Sequence, residues 1–270
     1  VVGGVVSLFS IISGSLSAAI SRFLTFELGK NDIQRLKTVF STSITIQIII
    51  SLIVIILAEI VGVWFLNNKM VIPADRLEAA NWIFQFSLMT FVIGLISVPY
   101  NAAIIAHERM SAFAYIGIFE VLAKLGIVFC LMIAPIDKLV FYGLMLLVLS
   151  FVIRMIYGVY CKKQFEECIY HFIMDKPLLK EMFGFAGWNS VGCIATLLKD
   201  QGVNILLNLF YGPIVNTSRG IAIQVQGAVQ AFANNFTIAI NPQITKSYAT
   251  GDYDYMMELI YKSARFSFYI

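Results

Sequence analysis

The sequence predicts an all-α protein, a polytopic transmembrane helix bundle. Three observations carry that expectation. Of 270 residues, 59% are hydrophobic and only 13% charged, whereas soluble domains run near about 25% charged. Several apolar runs are long enough to cross a hydrocarbon layer of about 30 Å. The basic residues alternate between connections. Twelve (Arg22, Lys30, Arg35, Lys37, Arg109, Lys162, Lys163, Lys176, Lys180, Lys246, Lys262 and Arg265) fall on one set, against four (Lys69, Arg76, Lys138 and Arg219) on the other. The positive-inside rule puts the richer side in the cytoplasm.

The spans follow in order. Residues 1–21 form the first, with Gly3, Ser7, Ser10, Gly14, Ser17 and Ser21 on one small-residue seam that another helix can approach closely. Gly29 reads as its C-cap and Asp32 as the N-cap of the next helix. The second span covers about 38–66, and a polar loop with Pro73 ends it. The third covers about 79–106, with a kink expected at Pro99. His107-Glu108-Arg109 makes a tight turn into the fourth span, about 110–134, where Glu120 and Lys124 meet at i, i+4. The fifth runs over about 139–160, with Arg154 placed to reach the interface. Residues 161–182, polar and mixed in charge, read as a cytoplasmic interfacial linker.

The stretch 183–254 is the most informative. It reads as two further spans, about 183–211 and 213–240, with far more polarity than a lipid-facing helix tolerates. Asn189, Gly192, Thr196, Lys199, Asp200 and Asn204 share one helical face of the first. Asn216, Gly220, Gly227, Gln230, Asn234 and Asn241 share one face of the second. A charge at the bilayer centre costs roughly 2.5–3.5 kcal/mol on insertion scales, so such residues face a protein interior or a wet cavity. The two stripes predict the wall of a hydrated cavity. An eighth span begins at about 255. The net charge of +3 gives no reason to expect a nucleic-acid partner.

Four cysteines show no CxxC spacing; Cys161, Cys168 and His171 lie close in sequence but fall one ligand short of a structural zinc site. No metal or cofactor is expected. Phe26-x-x-Gly29-x-x-Asp32 has a counterpart in Tyr248-x-x-Gly251-x-x-Asp254, an internal repeat of 222 residues that suggests duplicated halves. Val1 and Ile270 both fall inside apolar runs, so the chain reads as a fragment truncated at both ends.

Gly187-Trp188-Asn189, Asp200-Gln201-Gly202-Val203-Asn204-Ile205-Leu206-Leu207-Asn208, Tyr211-Gly212-Pro213, Ala222 to Asn235 and Asn241-Pro242-Gln243-Ile244-Thr245-Lys246-Ser247-Tyr248-Ala249 carry a resemblance. Arg22-Phe23 and Glu27-Leu28-Gly29 add to it. The chain resembles the bacterial polysaccharide (O-antigen type) flippases of the MATE-like multidrug/oligosaccharidyl-lipid/polysaccharide exporter superfamily. That resemblance implies two pseudo-repeated six-helix lobes around a central cavity. Residues 1–160 would give helices two to six of the N-terminal lobe, and 183–270 the start of the C-terminal lobe. It further implies flipping of undecaprenyl-pyrophosphate-linked oligosaccharide by alternating access in the bacterial inner membrane. Membrane lipids, a polysaccharide polymerase and glycosyltransferases would be partners, and H+ or Na+ the coupling ion.

The residues fit such cargo. Lys199 and Lys124 are candidate cations for a pyrophosphate. Asn189, Asn204, Gln230 and Asn234 are candidates for sugar hydroxyls, with Asp200 and Glu120 beside the lysines. Glu120–Lys124 and Lys199–Asp200 also read as ion pairs that hold helices together. A MATE-type small-molecule exporter is the alternative, although it would favour acidic cavity positions. No nucleophile–His–acid set, phosphate-binding glycine loop or paired carboxylates point to an enzyme.

Overall fold

A computed structural model describes residues 2–68, 77–132, 137–173 and 175–269. The side chains of 1–15, of Phe65 and of several positions between 190 and 217 fall outside that description. The expected small-residue seam up to Gly14 and the loop at Pro73 therefore lie outside the described residues.

The fold is all-helical, with no strand among the described residues. α1 is Val2–Lys30, α2 Ile33–Leu57, α3 Val63–Asn68, α4 Leu77–Ala106, α5 Met110–Cys130, α6 Lys138–Gln164, α7 Lys176–Thr250 and α8 Tyr253–Tyr269. A π-helical turn, Ala58–Gly62, joins α2 to α3 and carries Glu59. Aspartates start four helices by accepting a backbone N–H two or three residues on: Asp32 from Arg35 (2.9 Å), Asp137 from Leu139 (2.9 Å), Asp175 from Leu178 (3.2 Å) and Asp252 from Tyr255 (3.1 Å). Pro99 sits inside α4 without ending it.

Among the described residues four stretches are long and apolar enough to cross a membrane: Ile33–Asn68, Leu77–Ala106, Met110–Cys130 and Lys138–Gln164. The sequence reading expects eight spans. α7 is not among the four, and its amides, Lys199 and Asp200 dilute the apolar character that marks a lipid-facing helix.

The core lies towards one end of the bundle. Leu16, Ile20 and Leu24 of α1 meet Val39 and Phe40 of α2, Ala102, Ala103 and Ile104 of α4, Tyr157 and Cys161 of α6, and Leu178 and Met182 of α7. The alanines let the α4 backbone come close, and Phe40 packs edge-on against Tyr100 at 5.3 Å. At the other end the helices present large apolar side chains outward, such as Ile53, Val121, Phe129 and Phe151.

α7 differs most from expectation. The two spans predicted to part at Tyr211-Gly212-Pro213 form one helical segment of 75 residues. It is not a straight rod. Phe185 lies under the Arg22 guanidinium at 4.6 Å, and Tyr248 meets Phe26 at 6.4 Å. Arg22 and Phe26 are one turn apart on α1, whereas Phe185 and Tyr248 would stand about 95 Å apart at 1.5 Å per residue. α7 therefore turns back between these points and returns both ends to the same end of α1.

Three connections share one geometry at this end. Asn31 (φ 58°), Glu108 (φ 58°) and Gly251 (φ 79°) are left-handed. The N–H of each reaches the carbonyl three residues back: Leu28 at 3.1 Å, Ile105 at 2.9 Å and Tyr248 at 3.2 Å. The next N–H reaches five back: Asp32 to Glu27 at 3.4 Å, Arg109 to Ile104 at 3.0 Å and Asp252 to Ser247 at 3.0 Å. This is the Schellman closure of a helix.

The closures at Asn31 and Gly251 lie 220 residues apart, as do Asp32 and Asp252. Thr25 and Thr245 then coincide, each hydroxyl donating to the carbonyl four residues back, at 2.7 Å and 2.9 Å. Gly29 is not the cap. It corresponds to Ala249 and touches it: a Cβ at Gly29 would lie 2.8 Å from Ala249 Cβ and 3.1 Å from Lys246 Cα. Gly29→Val should therefore cost about 1–3 kcal/mol through overpacking, seen as a lower melting temperature in detergent, and added Ala249→Gly should return part of it. Parent-like melting of Gly29→Val would show that the helices do not meet there.

Candidate functional site

Two regions carry the chemistry. The first is a cavity of about 810 Å³ between α4, α5 and α6. Thr90, Ser97 and Asn101 recur on one face of α4 and line it, opposite Glu120 and Lys124 of α5 and Ser150 and Tyr157 of α6. Lys124 Nζ donates to Glu120 Oε1 at 2.6 Å, a pair that the i, i+4 spacing foretold. Thr90 Oγ1 and Asn101 Oδ1 are buried without a hydrogen-bond partner. Buried acceptors of that kind suit water or a hydroxyl-bearing ligand.

The α7 candidates are distributed differently. Asn189 is half-buried, while Lys199, Gln230 and Asn234 are exposed. Gln230 Nε2 donates to Asn234 Oδ1 at 3.4 Å. Asp200 and Asn204 lie on the helical backbone, with side chains outside the described residues. The hydrogen bond between Glu120 and Lys124 stays within α5, and among the described residues neither is joined to α7. Among the described residues the structure thus pairs Gln230 with Asn234 and Glu120 with Lys124.

The second region is the end where α1, α4, α6 and α7 meet. Its components went unnoticed in the sequence because they pair across long separations. Glu108, at the left-handed position of the α4–α5 turn, accepts from Lys246 Nζ at 2.6 Å and from Gln243 Nε2 at 3.0 Å. Burial pushes its carboxyl up, but the Lys246 and Gln243 hydrogen bonds and the Lys246 charge outweigh that and hold it below its ordinary value. Beside it His107 stacks on Phe165 at 4.0 Å and bonds to Glu167. Glu167 is only 5% exposed. Burial raises its carboxyl, and the His107 hydrogen bond with the charges of His107 and Lys37 overcomes this and lowers it. Arg35 reaches Asp175 at 3.2 Å, tying α2 to the start of α7. Arg154 lies over the Tyr100 ring at 3.9 Å and does not simply extend to the interface.

Cys161 and Cys168 are buried in this region. The Cys161 contact and burial push the Cys168 thiol well up, which suits an apolar filler and not a thiolate ligand. Among the described residues no group of three His, Cys, Asp or Glu side chains could hold a metal.

Composition, fold and membrane-length helices together define a polytopic helical membrane protein. The chain is similar to "Uncharacterized membrane protein EpsK" of Bacillus subtilis (strain 168), with 22% identity over 265 residues, 97% of this chain and 52% of that protein. It thus spans about half the length of that relative. No family model and no solved structure matches it.

His107→Ala should leave Glu167 buried without its histidine partner, with Lys37 the remaining nearby cation. Breaking a buried pair costs about 3–5 kcal/mol, and Lys37 puts the loss at the low end. His107→Ala with Glu167→Gln should recover most of it in thermal melts. Both lowered carboxylates contribute stability above their unfolded value, near 4.5, and lose it as pH falls through their folded values. Melting temperature should therefore hold from neutrality to about pH 5 and fall below that; a decline starting near neutrality would contradict the assignment.

Proposed function

We propose that this chain is part of a membrane transporter that flips an undecaprenyl-pyrophosphate-linked oligosaccharide outward across the bacterial cytoplasmic membrane. The observation that carries this reading is the stripe of amides around Lys199 on α7, within a chain otherwise built of apolar helices. Lipid-facing helices exclude such a stripe, whereas a sugar and pyrophosphate head crossing about 30 Å of hydrocarbon needs hydrogen-bonding amides and a cation. Lys199, Gln230 and Asn234 are exposed and Asn189 is partly buried. The likeness to a membrane protein of Bacillus supports the class without naming a cargo.

In this reading α1–α6 belong to one lobe, α7 and α8 open the second, and 161–182 links them. Lys199 and Lys124 face the pyrophosphate; Asn189, Asn204, Gln230 and Asn234 take sugar hydroxyls; Asp200 and Glu120 set the charge of their lysines. The polyprenyl tail stays in lipid. The cytoplasmic contacts between α1, the α4–α5 turn and α7 then describe a form closed on that side.

The test uses the full-length protein. Lys199→Ala should abolish surface polysaccharide at near-normal membrane abundance, and Lys199→Arg should keep part of the export. Normal export by Lys199→Ala would refute the pyrophosphate role. Depletion of Lys199→Ala, with recovery in Lys199→Ala/Asp200→Ala, would instead assign the lysine to a structural ion pair.

A further inference from the structure

Glu108 occupies a backbone conformation that its side chain does nothing to favour. The equivalent positions in the other two turns hold Asn31 and Gly251, residues that accept positive φ readily. A glutamate there is strained, and strain of this kind persists where the surroundings hold it for a purpose. What holds the Glu108 side chain is long-range. Its carboxylate takes both Lys246 and Gln243 from the returning arm of α7, while the turn itself belongs to the α4–α5 connection. The same turn also grips the linker through His107, Phe165 and Glu167. One three-residue connection therefore touches the first set of helices, the linker and the far end of α7.

The partners lie where the helices come closest. Lys246 Cα is among the atoms nearest Gly29, and Ser247 beside it is only 7% exposed. The Glu108–Lys246 pair is itself partly open, with side-chain exposures of 31% and 26%. A deeply buried pair would be a permanent strut, because separating it strands desolvated charges. A partly hydrated pair can part and re-form, since water takes over its hydrogen bonds.

We propose that Glu108 is a releasable latch that clips the α4–α5 turn to Lys246 and Gln243 and keeps the cytoplasmic seam between α1 and the returning arm of α7 shut. The proposal rests on the transporter reading only in requiring that this seam open during a cycle; the contacts themselves exist without any cargo. Release leaves the positive-φ turn held only by its local Schellman hydrogen bonds and without its long-range partners, so the open form keeps a bias to close again. The backbone of the turn and the latch make opposite demands on residue 108. Asparagine suits the turn better than glutamate but is too short and uncharged to hold Lys246.

That opposition supplies the experiment. In the full-length protein, with its native cysteines replaced by serine, Ser247→Cys is exposed to a hydrophilic maleimide in inside-out membrane vesicles. With Glu108 present, labelling should be slow. Glu108→Asn should label several-fold faster while its melting temperature in detergent stays level or rises. Glu108→Lys should label faster too, and Glu108→Lys with Lys246→Glu should bring the rate back towards that of the parent. Equal labelling rates in parent and Glu108→Asn would overturn the latch. Faster labelling together with a lowered melting temperature would also overturn it, by making Glu108 a folding residue. None of these rates depends on cargo. A latch that behaves as described alongside unchanged surface polysaccharide in Lys199→Ala would refute the proposed cargo site and leave the latch standing.

Discussion

Gly29 sits so close to Ala249 and Lys246 that only a residue without a side chain fits, and the returning arm of α7 can lie against α1 only because of it. That crossing decides several other features. It brings Tyr248 to Phe26 and carries Lys246 and Gln243 to the α4–α5 turn. With Arg22 resting on Phe185, it also requires α7 to double back. In a membrane, where lipid is as apolar as leucine, helices associate through close van der Waals fit and polar contacts and not through escape from water. A glycine meeting an alanine supplies the first; Glu108 with Lys246 and Gln243 supplies the second at the same end.

The distribution of burial follows from the same physics. The packed core and the long-range polar contacts gather at the end where Arg22, Lys30, Arg35, Arg109 and Lys246 lie, the side that the basic-residue bias assigns to the cytoplasm. Elsewhere α2, α5 and α6 present Ile53, Val121, Leu122, Phe129 and Phe151 outward. On a soluble protein that surface would be a liability. On helices of membrane length such a surface suits contact with lipid.

Much of the fold was legible in the sequence where the signal is local. α4, α5 and α6 lie close to the apolar runs that predicted them, and Asp32 caps α2 as its position before a helical run suggested. Glu120 and Lys124 meet because four residues make one turn. What escaped depends on tertiary contact or on an ambiguity of chemistry. Gly29 looked like a helix terminator, yet its purpose is close approach, while the terminating role fell to Asn31, which also tolerates positive φ. Gly212-Pro213 lies in the stretch between Phe185 and Tyr248 within which α7 doubles back, although its backbone is helical there. Glu108 finds its partners about 135 residues away, beyond the reach of any periodicity.

The central claim is that α1 and the end of α7 meet face to face at the end of the bundle where the basic residues gather. Cysteines at Lys30 and Thr250, exposed equivalent positions one residue beyond Gly29 and Ala249, report on it directly. In membranes containing the full-length protein, a short bifunctional maleimide should join the two within one chain, giving an electrophoretic shift absent from either single variant. If each cysteine is labelled by a monofunctional reagent but the pair never crosslinks, the two helix ends do not meet and the account is wrong.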